Sequence, residues 1–69
     1  MKTIYDIQQL LKRFGTMIYI GNRVADLELM EEEVKELYDA QFIDTKVYQS
    51  AILLLRQEAQ ILKEKNETT

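Results

Sequence analysis

The chain has 69 residues, of which 46% are apolar and 30% charged, with a formal net charge of −3. That length makes one domain with a thin margin of stability, and that apolar share is too high for a disordered chain. The absence of Cys and His removes disulfides, thiolate metal sites and the side chains that most often run catalysis at neutral pH, and the absence of Pro favours long uninterrupted helices.

Thr3 is placed to cap a first helix, with Asp6 three residues on to close a short capping box. Ile4, Ile7, Leu10, Leu11 and Phe14 recur at helical spacing and form its apolar stripe. Lys12 and Arg13 suit the negative end of the helix dipole, and Gly15 suits the left-handed position that ends the helix. The opposite face shows Tyr5, Gln8, Gln9, Lys12 and Arg13. Next comes Thr16-Met17-Ile18-Tyr19-Ile20, apolar and rich in β-branched residues between Gly15 and Gly21. It is too short for a stable helix, and a lone strand has no sheet to join. It reads as an extended connector over 15–21, lying across the helices with some side chains in the core. An edge that pairs with a second copy of the chain is the other reading.

Asn22 is a good N-cap for a second helix, punctuated by Gly21. Val24, Leu27, Met30, Val34, Leu37, Tyr38 and Gln41 fall on one stripe, with Asp26, Glu32, Glu33, Glu36 and Asp39 opposite. Leu29 stands off the stripe, either as a single exposed leucine or as a contact for another segment or a partner. Repulsion along the acidic ladder Glu28, Glu32, Glu36 is expected to be relieved by Glu31–Lys35 and Lys35–Asp39 pairs. Asp44 then caps a third helix, with Ile43 as a hydrophobic staple. Its apolar residues Val47, Tyr48, Ala51, Ile52, Leu54, Leu55, Ala59 and Leu62 make a face wide enough for two neighbours. Leu53 lies outside that face. The pattern thus predicts an all-α, compact three-helix array, with helices at about 3–14, 22–41 and 45–63 and an extended connector at 15–21. It forms a single domain over 1–63, followed by a frayed tail at 64–69.

No apolar run approaches the roughly 20 residues of a membrane span, and no signal-peptide core follows the first residues. The expected address is the cytoplasm, with no membrane partner. Charge is uneven along this small acidic chain. Residues 1–23 carry four cations against Asp6, residues 24–44 eight acids against Lys35, and residues 45–69 four cations against three acids.

These residues leave little for an enzyme: Ser50 is the only serine and has no base within a turn. The acidic ladder would offer oxygen ligands, but calcium sites draw on a curved loop, so a solvated face is expected and no metal or cofactor. A helix-turn-helix needs a basic recognition helix, which neither the acidic second helix nor the apolar third supplies. Single-stranded nucleic acid needs cations beside an aromatic platform. Tyr5, Lys12, Arg13, Tyr19 and Arg23 make such a set, opposed by the acidic segment next to it. Arg23 is alternatively paired with Asp26 or Glu28 inside its own helix. Met17, Leu29 and Leu53 are apolar residues outside the three stripes and are candidate protein contacts or self-association points.

One stretch also carries a resemblance. Tyr5-Asp6-Ile7-Gln8-Gln9-Leu10-Leu11-Lys12, then Gly15, then the run from Ile18 to Met30 resemble the YqgQ-like family of small proteins from Gram-positive bacteria, over roughly residues 3–60. The most specific part is the Gly-x-Arg-x-x-Asp-x-Glu-Leu-Met core at Gly21, Arg23, Asp26, Glu28, Leu29 and Met30. The resemblance implies a compact three-helix domain and no activity or catalytic residue. It also implies single-stranded nucleic acid as a candidate partner. The expectation from the sequence is a small, non-enzymatic binding or adaptor protein acting through protein–protein contacts, with single-stranded nucleic-acid binding as the alternative.

Overall fold

Each helix begins on a short polar side chain that accepts a backbone N–H the helix leaves unpaired. The computed structural model describes residues 2–67. In it, Thr3 Oγ1 accepts from the Asp6 N–H and Asp6 Oδ2 accepts back from the Thr3 N–H, both at 3.2 Å, closing the capping box of α1 (Ile4–Arg13). Hydrogen bonds from the backbone N–H groups of Lys2 and Thr3 hold the Asp6 carboxyl below the ordinary aspartate range. Asn22 Oδ1 accepts from the Ala25 N–H at 3.1 Å and starts α2 (Arg23–Asp39). Asp44 Oδ1 accepts from the Val47 N–H at 2.8 Å and starts α3 (Thr45–Glu67).

α1 and α2 end by the same device. Past α1, the Thr16 N–H bonds the Leu11 carbonyl and the Gly15 N–H bonds the Lys12 carbonyl, both at 2.9 Å. Past α2, the Phe42 N–H bonds the Leu37 carbonyl at 2.9 Å and the Gln41 N–H bonds the Tyr38 carbonyl at 3.0 Å. These are Schellman terminations, which hold the residue after the cap in the left-handed region. Gly15 does so at φ 85° and Gln41 at φ 66°. Gln41 is therefore not the last member of the buried stripe, as its spacing predicts. It is an exposed turn residue beyond a helix that stops at Asp39.

α2 and α3 form an antiparallel hairpin. Tyr38 stacks on Tyr48 with ring centroids 4.3 Å apart, Arg56 pairs with Glu31 at 2.9 Å and Lys63 meets Glu28 at 3.9 Å. Those rungs run down one helix as they run up the other. α1 lies against both, so that Ile7 and Leu11 join Leu27, Met30 and Val34 of α2 and Ala51, Ile52 and Leu55 of α3 in one core. Burying each large apolar side chain is worth about 1.5–3 kcal/mol, and Ala51, fully buried, lets the helices approach closely. Phe14 and Phe42 meet at 5.4 Å and join the end of α1 to the α2–α3 turn.

The fold is the all-α three-helix array that the apolar stripes predict, and no strand occurs among the described residues. Two details differ. Glu31 reaches across the hairpin to Arg56 rather than along its own helix to Lys35, because a neighbouring helix presents a guanidinium at closer quarters. Lys35 has no carboxylate within ion-pair range among the described residues. α3 also continues to Glu67, past the expected end at 63. Its final turns lack an apolar face but, Asn66 apart, consist of good helix formers, with Lys65 favourably placed against the dipole. Residues 68–69 of the expected tail lie outside the described residues.

Because a side chain in the left-handed region costs about 1–2 kcal/mol and glycine gives back only part of that as unfolded-chain entropy, Gln41→Gly should stabilise the protein by up to about 1 kcal/mol. Urea unfolding followed by circular dichroism measures it. A midpoint that stays put or falls would mean that the Gln41 side chain contributes something the turn geometry does not reveal.

Candidate functional site

Helical periodicity places Asp26 on the solvent face of α2, but the structure buries it to 6% exposure. The reason is tertiary. Gly21, at φ 83°, turns the chain so that the connector passes over the first turn of α2, and Asp26 Oδ1 accepts the Ile20 N–H at 2.9 Å. A buried carboxylate needs such a donor, and the positive end of the helix dipole favours its charge. The connector is thus held at both ends, by Thr16 on the Leu11 carbonyl and by Ile20 on Asp26. Between those points the main-chain groups of Met17, Ile18 and Tyr19 make no hydrogen bond among the described residues. Ile18 packs on the core, while Met17 and Tyr19 are 82% and 87% exposed.

Held this way, the connector runs beside α1 and leaves a groove of about 360 Å³ between them. Gln8, Gln9 and Lys12 line it from α1, Thr16, Met17, Ile18 and Tyr19 from the connector, and the buried Leu11 and Met30 from below. A cleft of that size with an apolar floor and a few polar groups at its rim is a usual form of binding site.

Of the five basic and aromatic candidates, the groove brings together Lys12 and Tyr19. Tyr5 is exposed on the same face of α1 but does not line it, and neither do Arg13 and Arg23. Arg23 does not pair with Asp26 or Glu28, because Asp26 takes the Ile20 N–H and Glu28 faces Lys63. Lys12, Arg13 and Arg23 have no carboxylate within ion-pair range among the described residues, whereas Arg56 and Lys63 do. Among the apolar candidates, Met17 lines the groove, while Leu29 and Leu53 are exposed on α2 and α3 away from its lining. Gln8 and Gln9 are lining residues that the sequence offers only as part of the polar face of the first helix. Among the described residues no group of three or more metal-ligating side chains gathers, and no helix is long and apolar enough to cross a membrane.

These features define a small all-α, three-helix protein with an open groove between its first helix and the connector that follows. The chain belongs to the YqgQ-like family, whose model matches residues 1–61. It is 43% identical over 63 residues to the uncharacterized protein YqgQ of Bacillus subtilis (strain 168), covering 91% of this chain and 89% of that relative. Gly21, Asp26 and Met30, which carry part of the resemblance, are the residues that turn the connector, hold its end and floor the groove.

Removing the carboxylate should loosen the groove wall. Asp26→Ala is expected to cost about 2 kcal/mol of stability, and Asp26→Asn, which keeps an acceptor oxygen, about 1 kcal/mol. Urea unfolding gives the values, and the Ile20 amide should exchange faster with solvent in the alanine variant than in the asparagine one. Equal exchange in both would refute the assignment of Asp26 as the connector's anchor.

Proposed function

We propose that this is a small, non-enzymatic cytoplasmic binding protein that acts through protein–protein contacts made at the connector and the adjoining face of α1. The observation behind this reading is the connector itself. Apolar Met17 and Tyr19 stand almost fully in solvent on a segment whose ends are hydrogen-bonded down. A segment whose backbone ends are already tied down has less main-chain freedom to lose when a partner covers its apolar side chains.

The second reading is single-stranded nucleic-acid binding. It draws on Lys12 and Tyr19 lining one groove, with Arg13, which has no ion pair among the described residues, next along α1. A single lining cation and the acidic composition of α2 weigh against it.

One pair of measurements separates the two. A photo-crosslinking amino acid in place of Tyr19 should yield discrete protein adducts in living cells, and Met17→Asp in the same chain should abolish them. Labelled oligo(dT), titrated at low and moderate salt, should then show no binding that Lys12→Glu with Arg13→Glu removes. Salt-sensitive oligonucleotide binding lost in that double variant, with no protein adduct, would reverse the order of the readings.

A further inference from the structure

The geometry points to strand addition: the groove beside the connector takes an extended, acidic and apolar peptide segment of a partner protein, which pairs with the main chain at Met17 and Tyr19. This rests on the protein-contact reading above and specifies its partner's chemistry. Three observations lead to it.

The first is the state of the backbone. An extended segment with no neighbour presents N–H and carbonyl groups as a template for another strand. Successive residues point these groups to opposite edges. Ile20 gives its N–H to Asp26 of α2, and Ile18, two residues away, shares that edge. Met17 and Tyr19 therefore present theirs on the opposite edge, with no hydrogen bond among the described residues.

The second is the shape of what lies alongside. The groove is walled by α1 on one side and by the connector on the other, over an apolar floor that includes Leu11 and Met30. A strand laid there would place alternate side chains on that floor and the others at the rim. The Gln8 and Gln9 amides at the rim add donors and acceptors.

The third is charge. Lys12 at the rim has no carboxylate partner within the described chain, and no acidic side chain lines the groove. A segment whose rim-facing residues are acidic would supply one. A nucleic-acid strand offers phosphates but leaves the connector's main-chain edge and the apolar floor unused.

The probe is a short capped peptide alternating glutamate and valine, titrated into the whole ¹⁵N-labelled protein, with its lysine–valine counterpart and oligo(dT) as comparators. The acidic peptide should shift the Met17 and Tyr19 amides and slow their exchange, and the basic peptide should not. Lys12→Glu should weaken binding about fivefold. Tyr19→Pro, which deletes one donor from an exposed position, should abolish it, while Tyr19→Ala should keep most of it. Core amides of Tyr19→Pro should exchange at the unsubstituted rate, which is the check that the fold is intact. In the unsubstituted protein, exchange protection at the two amides gives the same answer without any variant. No protection with millimolar acidic peptide, equal binding of the basic peptide, or oligo(dT) shifting the same amides in preference to the peptide would each overturn the inference. Protein adducts that form at position 19 despite such a result would leave the broader protein-contact reading standing.

Discussion

A short stretch of chain has to pass from the end of α1 to the start of α2 with no regular structure of its own, and the Asp26 carboxylate fixes where it lands. α2 and α3 are long enough, and close enough in sequence, to zip together as a hairpin on their own stripes. α1, at 10 residues, is too short to persist unless it is docked. Its position depends on how the connector leaves the Schellman turn at Gly15 and where it is caught. The bond from Ile20 to Asp26 catches it, so one buried carboxylate fixes the far end of the connector that walls the groove, while Ile7, Leu11 and Phe14 seat the helix on the other two.

This explains why a polar residue occupies a place that periodicity assigns to solvent. Asp26 lies beside the stripe of Leu27 and Met30, and only the returning chain covers it. The cost of taking a carboxylate out of water is offset by the hydrogen bond from Ile20 and by the carboxylate's place near the positive end of the helix dipole. A hydrophobic residue there would pack as well but would leave the Ile20 N–H without its acceptor. Specification of the connector's path is the physical role of the buried acid.

Much of the fold was legible in the residues because it rests on local rules. Thr3, Asn22 and Asp44 cap helices within three residues of themselves, Gly15 ends one, and the spacing of Ile7, Leu11, Leu27, Val34 and Leu55 alone marks the core. What escaped depends on chain that returns from elsewhere or on a helix end that carries no glycine to mark it. Glu31 pairs across the hairpin with Arg56, 25 positions away, where local spacing offers Lys35. Gln41 fits the stripe by count, but a Schellman turn had already ended the helix. The candidate site was half visible for the same reason. Lys12 and Tyr19 are separated in sequence and line one groove only because the connector runs beside α1, while Arg23, past the Gly21 turn, does not line it.

The four tyrosines fall into two optical classes, and with no tryptophan to mask them that division becomes useful. Tyr38 and Tyr48 lie face to face at the base of the hairpin, within 8° of coplanar, with the Tyr38 hydroxyl against Thr45. Rings stacked at that spacing are placed to couple, and opening the hairpin would separate them. Tyr5 and Tyr19 sit in water at the other region of interest, where their emission responds to quenchers and to anything that shields them. The chain therefore carries its own two-channel reporter, one for integrity of the helical frame and one for occupancy of the surface beside α1, without any dye.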